Sequence, residues 1–182
     1  ILILFIIAIY FAIQLYKRFN PEPILNYDDL SISGWLVLPA IGLVLSPILL
    51  IFSIYEFGYQ YSSTWLSLFE YIGDSKIELV VITLLELVYN VFYFVFSILI
   101  LFLFFQRRSS LPVLISVFYL LNLIVPILDY ISVEVLLPKD LGLNTTNDEL
   151  KHIIQALIAA VIWVPYFNIA DRVKNTFVKK YN

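Results

Sequence analysis

The chain has 182 residues, 62% of them hydrophobic and 14% charged, with a mean hydropathy of +0.93 and a formal net charge of -3. Soluble domains carry roughly 45–50% apolar and about 25% charged residues, so a water-soluble globule is excluded, because too little polar surface remains to cover such a core. The absence of cysteine excludes a disulfide framework and thiolate chemistry, and a single histidine, His152, excludes a multi-His metal centre within the chain.

Five apolar blocks follow, at about 1–16, 34–55, 79–105, 111–137 and 150–170, where a membrane span needs roughly 20 residues. Blocks rather than amphipathic stripes predict an all-α polytopic membrane helical bundle, with four core spans plus one N-terminal span or anchor. The first block, ILILFIIAIYFAIQLY, is short. Lys17 and Arg18 follow it rather than precede it, the reverse of a cleaved signal peptide. Residues 1–18 are therefore expected to form an N-terminal membrane helix that upstream residues could complete, and 19–33 a cytoplasmic linker.

The second block opens the expected four-helix membrane domain, 34–170, with GWLVLPAIGLVLSP. Pro39 and Pro47 each remove an N–H and free the carbonyl four residues earlier, which lipid cannot satisfy. Pro39 falls within about one turn of the helix start. Gly42 and Ser46 have the small-xxx-small spacing that lets helix backbones approach. Residues 34–47 are thus expected to form a bent, inward-facing packing helix. The external loop 57–77 carries Trp65, Leu68, Phe69 and Ile72 at helical spacing before Gly73, which predicts a short helix in the headgroup layer or a loop packed on the bundle.

Glu86 is the one carboxylate deep in the third block, about 12 Å from its outer boundary at 1.5 Å per residue, and Asn90 shares its face at i+4. Its burial predicts a protein neighbour, a wet cavity or a bound proton. The fourth block opens with SSLP, where a serine cap and Pro112 in the first turn mark the helix start. Within it lie Asn122, about 16 Å up the helix, Pro126 and Asp129. A second external loop, 138–149, contains the sequon NTT at 144–146 and the capping box Thr146–Glu149. The fifth block carries His152, Gln155 and Pro165. Glu86, Asn90, Asn122, Asp129 and Gln155 are candidates for a polar pocket open to the outside. Interhelical hydrogen bonds fixing register are the plainer expectation.

If the blocks alternate, Lys17, Arg18, Arg107, Arg108, Arg172, Lys174, Lys179 and Lys180 share one side, against Lys76, Lys139 and Lys151 on the other. Eight against three places the C-terminus in the cytoplasm, with 171–182 as a basic tail. Trp163 and Tyr166 are placed near the interface, while Arg172 and Lys174 are candidates for lipid phosphate contact. Val173 and Phe177, at i and i+4, are expected to pack back on the bundle.

The segments ISGWLVLPAIGLVLSPI and IWVPYFNIADRVKNTFV resemble the signatures of a bacterial integral membrane family catalogued as a domain of unknown function, number 2569 in that series. The resemblance runs from about Ser31 to Val178 and leaves the first block outside. It implies a small four-span protein of the bacterial cytoplasmic membrane and supplies no activity. From the residues, no catalytic constellation, phosphate loop, cofactor or metal site emerges. The expected partners are membrane lipids and another membrane protein, not nucleic acid. The function expected is that of a non-enzymatic accessory or assembly subunit; the alternative is a small transporter or lipophilic-ligand binding protein.

Overall fold

The computed structural model describes residues 1–23, 30–71, 77–136 and 147–181. Among these the fold is all-α: α1 (Leu2–Arg18), a 3-10 turn at Gly34–Leu36, α2 (Val37–Tyr71), α3 (Ile77–Phe105), α4 (Leu111–Leu136), α5 (Asn147–Ile169) and the short α6 (Asp171–Thr176). Four segments are long and apolar enough to cross a bilayer: Gly34–Tyr55, Val80–Phe105, Leu111–Ser132 and Glu149–Ile169. The chain is a multi-pass membrane protein. Thr146 and the sequon lie outside the described residues.

α3 is the central helix. Half of its span is buried, against 11% for α2, because α1, α2 and α4 all pack on it while α5 packs chiefly on α4. α1 lies along α3 through Ala8, 2% exposed, set against Leu87, Val91 and Val95. Its 17 residues span about 25 Å at 1.5 Å per residue. Between α3 and α4, the Tyr93 ring stacks on Phe118 at 4.7 Å and on Tyr89 at 5.2 Å, and its hydroxyl donates to the Phe118 carbonyl. Aromatic stacking of this kind contributes about 0.5–1.5 kcal/mol per pair beyond area burial.

The expected outer loop begins later than the sequence suggests. α2 runs without interruption to Tyr71, so 64–71 continues the long helix instead of forming a separate one. Its 35 residues reach about 52 Å, well beyond a hydrocarbon core of roughly 30 Å. Ile72 and Gly73 lie outside the described residues.

The linker, the α3–α4 turn and the C-terminal segment meet at one end of the bundle, here called the tail end. Leu30 N–H donates to Asn175 O, and Arg107 Nη1 to Leu30 O at 3.0 Å. Arg108 and Lys179 form a short parallel bridge, with Ser109 N–H donating to Lys179 O and Lys179 N–H to Arg107 O. Alternation of the helices requires this gathering, and it places the basic segments together. α3 ends in a Schellman motif: Arg108 N–H bonds Leu103 O, Arg107 N–H bonds Phe104 O, and Arg107 takes the left-handed conformation at φ 53° where glycine is the usual occupant.

At the tail end Lys180 Nζ lies 2.7 Å from Glu22 Oε1. This hydrogen bond, reinforced by the lysine charge, holds the Glu22 carboxyl below its ordinary value of 4.5. A depressed folded value means the contribution is present above the unfolded value and is lost as pH falls through the folded one. Replacing Lys180 with glutamine is expected to return the Glu22 titration to the ordinary carboxylate range, as read from its carboxyl carbon shift by NMR.

Candidate functional site

The structure divides the polar groups expected to converge. Glu86 on α3 and Asp129 on α4 meet as a hydrogen-bonded acid pair, and the charge of Glu149 at the start of α5 acts on both. Asn122, Gln155 and His152 line a separate hollow of about 210 Å³ between α4 and α5, walled by Pro126, Ala156 and Ala159. Asn122, Pro126 and Asp129 follow one another at i, i+4 and i+7, so hollow and acid pair share a stripe of α4. Asn90 is partly buried and lines neither. Among the described residues no group of three or more His, Cys, Asp or Glu is placed to hold a metal ion.

The prolines divide in a similar way. The carbonyl that Pro47 leaves open, Leu43 O, accepts from the Ser46 hydroxyl at 3.2 Å, within the same helix. Pro39 is buried and sits in the first turn of α2, where a missing N–H costs little. Pro126 and Pro165 lie inside the unbroken helices α4 and α5. The expected inward packing face is not found at Gly42. Leu36, Pro39 and Leu43 point into the bundle, while a Cβ built on Gly42 meets nothing within 4 Å. Helix geometry forces the correction: Leu43 follows Gly42 by one residue, about 100° round the helix, so packing Leu43 on α3 turns Gly42 outward.

The tail-end residues are better connected than sequence alone indicates. Trp163 and Tyr166 pack edge to face at 5.7 Å, and Val173 and Phe177 are buried, as their spacing predicts. Arg172, expected to reach lipid phosphate, turns instead to its own chain. Its Nε donates to Ser33 O at 3.0 Å, its Nη2 donates to the Ser33 hydroxyl, and its guanidinium stands over Gly34. Lys174 pairs with Asp171 at 3.6 Å. Gly34 has φ +63°, a conformation that side-chain-bearing residues adopt at a cost.

The two signature segments therefore touch, ISGW against DRVKNT. The family described as protein of unknown function, DUF2569, matches residues 30–178. The chain belongs to that family. The DUF2569 match spans α2 to the tail and leaves α1 outside. Its limits fall within the tail-end clasp, close to the Leu30–Asn175 and Ser33–Arg172 hydrogen bonds. Comparison with curated proteins and with solved structures gives no match.

Several connected residues escape a sequence reading. Arg108, taken above as a topology charge, is 4% exposed, donates to Tyr16 O, and lies 5.1 and 5.2 Å from the Tyr16 and Tyr181 ring centres. Asn168 on α5 donates to the Ser116 hydroxyl on α4 at 2.8 Å, which in turn donates to Pro112 O. Ser110 precedes α4, but its hydroxyl is buried without a partner, so the expected side-chain cap is not made; Ser109 donates to Pro21 O instead. Only the i, i+4 spacing of Pro112 and Ser116 hints at any of these in sequence.

Proposed function

We propose that the protein works by association, as a non-enzymatic accessory or assembly subunit of a larger complex in the bacterial cytoplasmic membrane, with its C-terminal segment in the cytoplasm. The observation that carries this reading is the outward face of α2. Leu38, Ile41, Leu45 and Phe52 are exposed there, and Gly42 leaves an open notch among them. Lipid covers any apolar face, but a notch bordered by bulky side chains suits the close backbone approach of a second transmembrane helix. The occupant proposed is thus a transmembrane helix of another protein. The eight-to-three division of basic residues supports the orientation.

Gly42→Leu fills the notch without touching the chain's own packing. It is expected to lower recovery of partner chains in mild-detergent extracts by about tenfold, equivalent to about 1.4 kcal/mol, while the melting temperature of the isolated protein is unchanged. Mass spectrometry of the co-purifying chains supplies the measurement. Isolated monomer from the unaltered protein under several mild detergents would count against the reading.

The Glu86–Asp129 pair supports a second reading, a small transporter or lipophilic-ligand carrier, because an acid pair inside a span can take up and release a proton. Under that reading Glu86→Gln abolishes proton-coupled uptake into vesicles. Full activity of the variant would remove Glu86 from the mechanism.

A further inference from the structure

We propose that the groove between α1 and α3 at the tail end seats one acyl chain of an anionic phospholipid, with the phosphate held by Lys17 and Gln106. The groove encloses about 470 Å³, inside the roughly 300–1,000 Å³ of ligand sites. Ile9 and Ile13 form one wall and Ile98 and Phe102 the other. Its last residues are polar: Tyr16 and Gln106. Gln106 directly follows the span that ends at Phe105, so the polar end lies at headgroup depth and the apolar walls run inward from it. That order, anion-binding group first and hydrocarbon slot below, is the order of a phospholipid along the membrane normal.

The polar end is built rather than incidental. The Tyr16 hydroxyl donates to Gln106 Oε1 at 2.8 Å, which fixes the amide and leaves its NH₂ group as a donor. The Ile9–Ile13 stripe continues at i+4 to Lys17, which is exposed. Behind Tyr16 sits the Arg108 guanidinium, more than nine-tenths buried, with Nε lacking a hydrogen-bond partner and no carboxylate paired to it among the described residues. A buried cation stacked on Tyr16 and left without an acidic partner makes the mouth of the groove favourable for an anion. A second transmembrane helix fits less well. Helix docking favours small residues on the walls, and here Ala12 is the one small residue among bulky ones, with Tyr16 and Gln106 at the polar end.

The test uses the full chain reconstituted in vesicles of equal parts phosphatidylglycerol and phosphatidylcholine, re-extracted in mild detergent, with retained lipid identified by native mass spectrometry. One phosphatidylglycerol is expected per chain, preferred about fivefold over phosphatidylcholine, the effect of one cation beside an anionic headgroup. Ile13→Trp, which fills the slot from an exposed position on α1, is expected to abolish retention of both lipids; Ile9→Trp repeats the test one turn away. Lys17→Gln is expected to keep a lipid in the groove but remove most of the preference, leaving only what Arg108 contributes from behind Tyr16. Equal retention of the two lipids by the unaltered chain would overturn the proposal. So would undiminished phosphatidylglycerol retention in both tryptophan variants, or a protein cross-linked at Ile13 in place of lipid.

Discussion

Phe177→Ala is expected to destabilise the protein by about 3–5 kcal/mol, the range for removing a buried aromatic ring. Phe177 is 2% exposed and its ring lies 5.4 Å from Phe104 and 6.2 Å from Phe167. It thereby joins the C-terminal segment to the ends of α3 and α5. Phe104 and Phe167 are themselves almost fully buried, so the rings around the gap have little room to collapse into it. Because this cluster lies at the headgroup end, water is the competing solvent and hydrophobic transfer adds to lost packing. Thermal unfolding in a fixed detergent provides the measurement. A loss under about 1 kcal/mol, no more than a conservative core swap costs, would show that the segment is not docked as described.

Gly34→Val is expected to be the second large effect. A β-branched residue at φ +63° costs about 1–3 kcal/mol in backbone strain alone. The new side chain also grows from a Cβ position 3.6 Å from the Arg172 guanidinium, and displacing that group gives up hydrogen bonds to Ser33. Hydrogen bonds to charged groups contribute about 1.5–3 kcal/mol, less where exposed, as Arg172 is. Arg172→Ala separates the contributions: it removes the hydrogen bonds and leaves the strain. A Gly34→Val penalty that stays undiminished in an Arg172→Ala background would mean backbone strain accounts for all of it. A Gly34→Val protein as stable as the unaltered one would contradict the conformation at Gly34.

The spans were legible because lipid imposes a block signal: Val80–Phe105 and Leu111–Ser132 are apolar along nearly their whole length, with few polar residues, so no neighbour is needed to recognise them. Facing was less legible. The Gly42–Ser46 spacing marks a flat stripe, but which stripe turns inward depends on Leu36 and Leu43 finding α3, a tertiary fact. The continuation of α2 to Tyr71 was hidden by a stretch without an apolar block. The acid pair was half visible. Glu86 and Asp129 lie nearly equally far from the α3–α4 turn, which puts them at one depth in an antiparallel hairpin, but not which faces they share. Arg172 and Ser33 were both inside the signature segments, and only the folded chain shows why each needs the other. Arg108 was least legible, since a basic residue at a membrane boundary reads the same whether it meets lipid or two tyrosine rings.

The clasp at the tail end joins residues very far apart in sequence: Asn20 bonds Tyr181 across 161 positions, and Ser33 bonds Arg172 across 139. Contacts this distant close late, because the intervening chain must be ordered first. During synthesis the linker before α2 therefore waits, unfixed, until α6 has left the ribosome, although the spans between them insert earlier. A ribosome stalled after α5 leaves a protein fully threaded through the bilayer yet unfastened at one end.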